Sequence, residues 1–195
     1  MAQHVANCMI KDEERVVFCS KCGAKLKMKI PEEDNRVRGV CGSCNTIHYE
    51  NPKIIVGSVT TYKNQVLLCR RAIEPKFGFW TLPAGYMELN ESTSEGAMRE
   101  TVEESGANIT LKRLFAIYDL PFLNQVHIFF LAEMNSPKLD PGSETLEARL
   151  FRVNEIPWSE LAFKTVGRTL EFFIKKDKYN QNHVHTSLFS LGEKS

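Results

Sequence analysis

The sequence has no apolar run long enough to cross a membrane and no strong excess of either charge. Its longest apolar pieces are short, such as Val126 to Ala132, whereas a membrane-spanning helix needs about 20 apolar residues. The 25 Lys and Arg residues nearly balance the 24 Asp and Glu residues, and the formal net charge is +1. Lys and Arg are also spread along the chain, which disfavours a nucleic acid as the main partner. A soluble globular protein without a membrane partner is therefore expected.

A secretory signal is missing as well. The first ten residues, MAQHVANCMI, have neither a basic start nor an apolar core. We therefore expect a cytoplasmic, reducing environment in which the six cysteines are thiols rather than disulfides.

The cysteine spacing divides the chain. Four cysteines form two pairs, each separated by two residues, within a polar segment that ends near Pro52. We predict an arm at 1–14, a small four-cysteine module at 15–51, a larger domain at 52–178, and a tail at 179–195 without an interpretable pattern. Two helices are predicted in the larger domain, at about 93–105 and 159–176. Strands are predicted at 54–62, 65–71, 109–119, 125–134 and 147–153. This order is typical of a mixed α/β sandwich.

Strong end signals define the first helix. Ser92 and Glu95 have the spacing of a capping box, and Gly106 is placed to end the helix in a left-handed conformation. Between these ends, four residues recur at helical spacing and predict a narrow buried face: Ala97, Met98, Thr101 and Val102.

The opposite face of this helix carries Glu100, Glu103 and Glu104. Offsets of three and four residues bring these carboxylates onto one patch, where like charges oppose the helix. A hard divalent cation would offset this repulsion, because Mg²⁺ binds one or two carboxylates together with substrate phosphates. A solvated acidic helix face is the alternative, and the three glutamates alone do not separate the two hypotheses.

The surrounding stretch resembles the signature of the Nudix hydrolases at every fixed position. The matching residues are Gly85, Glu91, Arg99, Glu100, Glu103, Glu104 and Gly106, with Thr101 and Ala107 at the two aliphatic positions. The resemblance implies a Nudix α/β/α sandwich with a mixed sheet. It also implies that Glu100, Glu103 and Glu104 bind Mg²⁺ or Mn²⁺, supported by Gly85, Glu91 and Arg99.

The general base is left open by the same resemblance. The family uses either a glutamate of the motif, here Glu100 or Glu103, or a later glutamate. Glu147 opens an apolar strand and is similar to that later glutamate, while Glu144 is a second candidate. Both could equally be surface charges.

The four-cysteine module is interpreted as a zinc site. Cys19 with Cys22 and Cys41 with Cys44 enclose 18 residues, which fits a structural Cys₄ zinc ribbon. A redox dithiol and a pair of disulfides are the alternatives, and neither explains the repeated spacing. Cys69 is expected to pack in a strand, and Cys8 falls in the predicted arm.

A zinc ribbon ahead of a Nudix domain resembles the NADH pyrophosphatases, but their Ser-Gln-Pro-Trp-Pro-Phe-Pro motif is absent here. A closer resemblance, through segments such as YENPKIIVG and EIPWSELAF, is to the plant chloroplast FAD and ADP-ribose pyrophosphatases, without their transit peptide. It implies hydrolysis of FAD to FMN and AMP, or of ADP-ribose to AMP and ribose 5-phosphate, by a cytoplasmic enzyme that is commonly a homodimer. NADH, another dinucleotide or an RNA cap is the alternative substrate, and a nucleic-acid-binding or sensor module is the alternative function.

Two sets of residues near the motif have open roles. Four aromatic residues could stack on a substrate ring or pack in the core: Phe77, Phe79, Trp80 and Tyr86. Arg70 and Arg71 could contact a pyrophosphate or be ordinary charges at the end of a strand.

Overall fold

The computed structural model describes residues 16–175 and 183–190, which divide between Pro52 and Lys53 into two compact units. The predicted arm at 1–14, Cys8 included, lies outside the described residues. No helix in the part of the chain that is described is long and apolar enough to cross a membrane.

The first unit is a three-stranded antiparallel sheet with strand order β1-β2-β3. Its strands are β1 (Leu26–Lys29), β2 (Arg38–Cys41) and β3 (Ile47–His48). Each cysteine pair ends in a tight turn, at Gly23 with φ of 73° and at Asn45 with φ of 57°. The amides of these two residues donate to the carbonyls of Cys19 and Cys41 at 2.9 and 3.0 Å. Glycine and asparagine tolerate this left-handed conformation, so the two turns take the same form.

The second unit is built on a mixed sheet with the strand order β10-β5-β4-β9-β8-β11. Its strands are β4 (Lys53–Tyr62), β5 (Gln65–Arg71), β6 (Trp80–Thr81), β7 (Ala84–Tyr86), β8 (Ile109–Leu120), β9 (Gln125–Met134), β10 (Thr145–Arg152) and β11 (His185–Leu188). Strand β4 is parallel to β9, and β8 is parallel to β11, while the other pairs are antiparallel. The short strands β6 and β7 pair with β5 and β4.

Two helices, α1 (Thr93–Ser105) and α2 (Lys164–Lys175), cover opposite faces of this sheet. Neighbouring residues of a strand point to opposite faces. Phe130 of β9 packs with Ala97 of α1, whereas Phe129 belongs to the cluster that contains Leu170 of α2. The predicted α/β/α sandwich with a mixed sheet is confirmed.

Three details differ from the expectations. The last helix begins at Lys164 rather than at 159, because Trp158–Glu160 forms a separate 3-10 turn. Leu161 is then extended, and the Ala162 amide donates to the Trp80 carbonyl at 2.8 Å. Strand β11 lies in the segment interpreted as a tail, and it extends the sheet beyond 178. On α1, Met98 and Val102 are 40% and 46% exposed, so the prediction that they are buried is wrong. The small residues Gly96 and Ser105 are buried instead.

Candidate active site

Both ends of α1 are fixed as the sequence predicts. The Ser92 hydroxyl accepts from the Glu95 amide at 3.2 Å, and the Ser92 amide donates to the Glu95 carboxylate at 2.8 Å. At the other end Gly106 has a φ of 65°, and its amide donates to the Val102 carbonyl at 2.7 Å. The capping box and the left-handed C-cap are confirmed, and together they set the positions of the helix carboxylates.

Arg99 gathers three carboxylates around one guanidinium group. It donates to both oxygens of Glu91 at 3.0 and 2.8 Å, to Glu100 at 2.7 Å and to Glu103 at 3.1 Å. The hydrogen bonds from Arg99 lower the pKa of Glu91 to about 2, and Glu91 in turn raises the pKa of Arg99. Glu91 is therefore a permanent anion that holds the arginine beside Glu100 and Glu103.

The backbone of β7 forms the other wall of the acidic patch. The Ala84 amide donates to Glu104 at 3.3 Å. The carboxyl group of Glu100 lies directly against the α-carbon of Gly85, in the space that any side chain at this position would fill. The absence of a side chain at Gly85 thus permits the close approach of strand and helix.

The carboxyl groups of Glu100 and Glu104, which face the backbone of β7, are destabilised in their charged form. Burial is the largest cause that raises the pKa of Glu104 to about 8, and the charge of Glu100 adds to it. Burial also raises the pKa of Glu100, against the hydrogen bond from Arg99. Two half-buried carboxyl groups four residues apart fit a hard cation, since Mg²⁺ needs only one or two protein carboxylates.

The third glutamate of the helix is more exposed than these two. Glu103 is 59% exposed on its side chain and turns toward Arg99. Within 16–175 and 183–190, the four cysteines are the one group in which three or more ligand atoms lie close enough to hold a metal. The structure therefore places Glu100, Glu103 and Glu104 on one patch of the helix, but their carboxylate oxygens do not converge on one metal position.

The later glutamates occupy different positions. After burial and the charges of the helix glutamates, the charge of Glu144 adds a smaller rise to the pKa of both Glu100 and Glu104, so this carboxylate lies near the acidic patch. Its carbonyl accepts from the Ala72 amide at 2.8 Å, which anchors the segment before β10 to the end of β5. Glu147 is exposed on β10, opposite Arg70 of β5 and next to an irregularity in the strand pairing.

The aromatic residues divide into core and surface. Trp80 is 6% exposed and meets Phe151 edge to face with ring centroids 4.8 Å apart, so it packs in the core. Tyr86 is 50% exposed, and Lys53 lies over its ring at 5.4 Å from the centroid. Phe77 is also exposed, at 55%, on the loop between β5 and β6.

A hydrogen-bonded pair on β9, which the sequence did not reveal, supports Tyr86. The Gln125 side-chain amide donates to the Tyr86 hydroxyl at 3.4 Å, and His127 Nε2 lies 3.0 Å from the side-chain oxygen of Gln125. Burial lowers the pKa of His127 to about 4, so the ring is neutral at physiological pH. Sequence alone did not single out His127, because its role depends on pairing between strands.

Arg70 and Arg71 brace the loop between β5 and β6. Arg70 Nε donates to the Gly78 carbonyl and Arg71 Nε to the Pro75 carbonyl, both at 2.9 Å. These bonds give each arginine a structural role at the strand end. Arg71 also acts on the acidic patch, because its charge opposes the rise in the pKa of Glu104.

The four cysteines of the first unit form a cluster that fits zinc. Their sulfur atoms all lie within 4.8 Å of one another, with Cys19 and Cys44 3.6 Å apart and Cys22 and Cys41 3.4 Å apart. Four sulfurs at about 2.3 Å from a zinc ion would be about 3.8 Å apart, close to these values.

Two neighbours of the cluster were not predicted. The Thr46 hydroxyl lies 3.1 Å from the Cys44 sulfur and is the largest cause that lowers the pKa of Cys44 to about 6, which favours the thiolate. His48 Nε2 lies 3.4 Å from the sulfur of Cys19. Neither residue has a recognisable ligand spacing. Thr46 is a local neighbour, two residues beyond Cys44, whereas His48 is 29 residues beyond Cys19 and reaches it only through the fold.

Comparison with known proteins gives matches in both units. Residues 52–172 match the family described as NUDIX domain, and residues 17–50 match the zinc-ribbon family described as Nudix N-terminal. A NUDIX hydrolase of known structure from Nitrosomonas europaea is 43% identical with a TM-score of 0.83, and the match covers 89% of this chain and 100% of that one.

Curated relatives carry two kinds of name. A NAD-capped RNA hydrolase from Vibrio parahaemolyticus is 32% identical over 143 residues, which are 72% of this chain and 52% of the relative. An ADP-ribose pyrophosphatase from Methanocaldococcus jannaschii is 30% identical over 119 residues, which are 59% of this chain and 69% of the relative. The chain thus spans about half the length of the NAD-capped RNA hydrolases that it matches.

Proposed function

The chain belongs to the NUDIX family, and from this premise we propose that it hydrolyses the pyrophosphate bond of a nucleoside diphosphate linked to a second group. FAD and ADP-ribose are the proposed substrates. The observation that carries the proposal is the acidic patch, in which Glu100 and Glu104 lie against the backbone of β7 with raised pKa values. Such carboxyl groups are poised for a cation that would restore their charge.

Glu100, Glu103 and Glu104 are the proposed ligands of Mg²⁺ or Mn²⁺. A cation bound there supplies charge stabilisation for the phosphoryl oxygens and a more acidic bound water. Arg99 keeps Glu100 and Glu103 oriented, because it donates to both while Glu91 holds it in place. Glu91 and Gly85 therefore support the site without touching the substrate.

The general base is proposed among three carboxylates: Glu103, Glu144 and Glu147. Glu100, the other candidate of the motif, is assigned to the cation alone, because it is held by Arg99 and packed against Gly85. Glu103 is exposed and adjacent to Arg99, and Glu144 lies near the acidic patch. Glu147 retains its likeness to the later glutamate of the family. Replacing each with glutamine separates them, because loss of the base lowers kcat and removes the acidic limb of the pH profile, whereas a supporting residue changes only the rate. A variant set in which all three keep the wild-type pH profile would contradict this assignment.

Tyr86 is the proposed platform for an aromatic ring of the substrate. Its exposed ring follows directly after Gly85, and the contacts from Gln125 and Lys53 fix its orientation. Base and flavin rings stack favourably on such a surface. Phe77 is a second exposed ring but lacks a comparable brace in the described contacts.

The choice of substrate rests on likeness to other proteins. The likeness to the plant FAD and ADP-ribose pyrophosphatases runs through both units, and one relative is named an ADP-ribose pyrophosphatase. A dinucleotide or an NAD-capped RNA is the second candidate, since several relatives are named NAD-capped RNA hydrolases. The missing NADH-type motif argues for the first group.

A hydrolysis screen with Mg²⁺ or Mn²⁺ tests this order. We expect kcat/KM for FAD and ADP-ribose to exceed that for NADH, NAD and an NAD-capped RNA oligonucleotide. The Glu104→Gln variant, which lacks a proposed ligand, controls for contaminating hydrolases. A higher kcat/KM for NADH or the capped oligonucleotide would overturn the substrate proposal and leave the acidic site intact.

The organisation of the chain follows from the same proposal. Residues 15–51 are assigned to a structural zinc ribbon. The catalytic domain begins at residue 52, and we move its end from 178 to the end of β11 because that strand completes the sheet. A homodimer is the proposed assembly, and sedimentation of the zinc-loaded protein at several concentrations tests it. A single monomeric species throughout would contradict it.

A further inference from the structure

A chain of buried hydroxyl groups connects α1 to β4 beneath the acidic patch. Ser58, Thr60 and Thr101 are each fully buried. The Ser58 hydroxyl lies 2.7 Å from the Thr60 hydroxyl and 2.7 Å from the Thr101 hydroxyl. The Thr101 hydroxyl in turn donates to the Ala97 carbonyl at 2.7 Å. Because the Thr101 proton is used on Ala97, the direction of the chain is fixed. Thr60 donates to Ser58, and Ser58 donates to Thr101.

Thr101 occupies a motif position that the family fills with an aliphatic residue. An aliphatic side chain would hold the helix on the sheet by apolar contact, which has no preferred direction. A hydrogen bond does have a preferred direction and distance. In this chain the contact at position 101 therefore restrains how α1 can slide or rotate against β4.

Ser58 is joined to both walls of the acidic patch. Its hydroxyl reaches Thr101, which lies between Glu100 and Glu104 on α1. Its amide donates to the Pro83 carbonyl at 3.1 Å, directly before β7. Strand β7 supplies the Ala84 amide that binds Glu104 and the Gly85 surface that meets Glu100. One residue of β4 thus sets the spacing between the helix carboxylates and the backbone that they face.

We propose that the hydrogen bond between Ser58 and Thr101 positions Glu100 and Glu104 for cation binding. Both are positioning residues, since their side chains are buried and act through the helix. This inference rests on the proposed function, because it concerns the same carboxylates. It adds a directional polar contact at a motif position that the family pattern fills with an aliphatic residue.

Direct Mn²⁺ binding, measured by calorimetry on the zinc-loaded full chain, tests this inference without relying on turnover. Thr101→Val keeps the side-chain shape and removes the hydroxyl, and we expect it to weaken Mn²⁺ binding about 10-fold, as for other residues that support metal ligands. Thr101→Ser retains the hydroxyl and should bind Mn²⁺ like the wild type. Ser58→Ala should reproduce the effect of Thr101→Val, and the double variant should lose no more than either single variant, because all three remove the same bond.

Thr169→Val is the matched control. Thr169 is a fully buried threonine of α2, on the opposite face of the sheet, that donates to the Thr165 carbonyl at 2.6 Å and accepts from the Tyr118 hydroxyl at 3.0 Å. It should lower the thermal midpoint without changing Mn²⁺ binding. If Thr101→Val and Ser58→Ala both bind Mn²⁺ like the wild type, the positioning role is overturned and the metal site stands. If the wild type and Glu104→Gln bind Mn²⁺ equally, the metal site itself is overturned, and this inference with it.

Discussion

Replacing Glu104 with glutamine should stabilise the metal-free protein at alkaline pH. The pKa of this carboxyl group is raised from 4.5 to about 8 by burial and by the charge of Glu100. Below pH 4.5 the group is protonated in both the folded and the unfolded chain. Between pH 4.5 and 8 the unfolded chain loses the proton and the folded chain keeps it, so the free energy of unfolding falls as pH rises. Glutamine does not titrate and removes this loss.

The raised pKa sets the size of the effect. At about 1.4 kcal/mol per pKa unit, the shift from 4.5 to about 8 corresponds to a ceiling of about 5 kcal/mol. Relaxation of the helix and entry of water around the ionised carboxylate reduce this penalty. We therefore expect Glu104→Gln to gain about 2 kcal/mol over the wild type between pH 5 and pH 8.5.

Urea unfolding followed by tryptophan fluorescence measures this gain. Both tryptophans, Trp80 and Trp158, lie in the second unit, so the signal reports on the unit that carries the acidic patch. Mg²⁺ and Mn²⁺ are removed while zinc is kept in the ribbon. Glu171→Gln is the control, because Glu171 is an exposed helix glutamate paired only with Arg168 among the described ion pairs.

Adding Mg²⁺ should reverse the order of stability. A cation at free concentration c that binds the folded state raises the free energy of unfolding by RT ln(1 + c/Kd), and we expect the wild type to bind it more tightly because it has one more ligand than Glu104→Gln. At pH 8.5 with Mg²⁺, the free energy of unfolding of the wild type should therefore exceed that of the variant. If the difference between the two proteins is the same at pH 5 and pH 8.5 without Mg²⁺, Glu104 is not a destabilised carboxylate and the reasoning fails.

Three further predictions follow from the two sites. Gly85→Ala should lower kcat about 100-fold by displacing Glu100. Gly167→Ala should not, because its new methyl group meets only the Leu161 side chain at an ordinary contact distance of 3.9 Å; equal steady-state rates for the two variants would contradict this. Cys41→Ser should release the bound zinc, while Cys69→Ala should retain about one zinc per chain in metal analysis; a zinc-free wild type after purification under reducing conditions would refute it. Tyr86→Ala should raise KM for the preferred nucleotide about 10-fold through loss of ring stacking, and Tyr86→Phe should not; an unchanged KM for Tyr86→Ala would remove the platform.

Local sequence signals predicted the parts of the site that lie on one element. The capping box at Ser92, the left-handed Gly106 and the i, i+4 placement of Glu100 and Glu104 all depend on residues within a few positions of one another. The same holds for the two cysteine turns, because Gly23 and Asn45 adopt the left-handed conformation that their residue types permit.

Contacts between distant strands were not predictable in this way. The Gln125 side chain, which His127 contacts, reaches Tyr86 only because β9 lies parallel to β4, which pairs with β7. Strand β11 joins β8 from the far end of the chain, and its polar sequence gives no alternation to indicate this. The exposure of Met98 and Val102 likewise depends on which side of α1 packs on the sheet, and that side carries the fully buried Ala97 and Thr101.

Thr101 shows why a weak fit to a motif can carry information. Considered by itself, a threonine at an aliphatic position is a slightly poorer packing residue, since its hydroxyl must be satisfied if it is buried. The structure satisfies it twice, through Ala97 on the same helix and through Ser58 on β4. The hydrogen bond between them therefore explains both the threonine at motif position 101 and Ser58, which lies 43 residues earlier. Neither position reveals this alone. Residues that deviate from a motif while remaining buried are thus the positions at which a distant polar partner should be sought, and here that partner lies on the strand that also holds the opposite wall of the site.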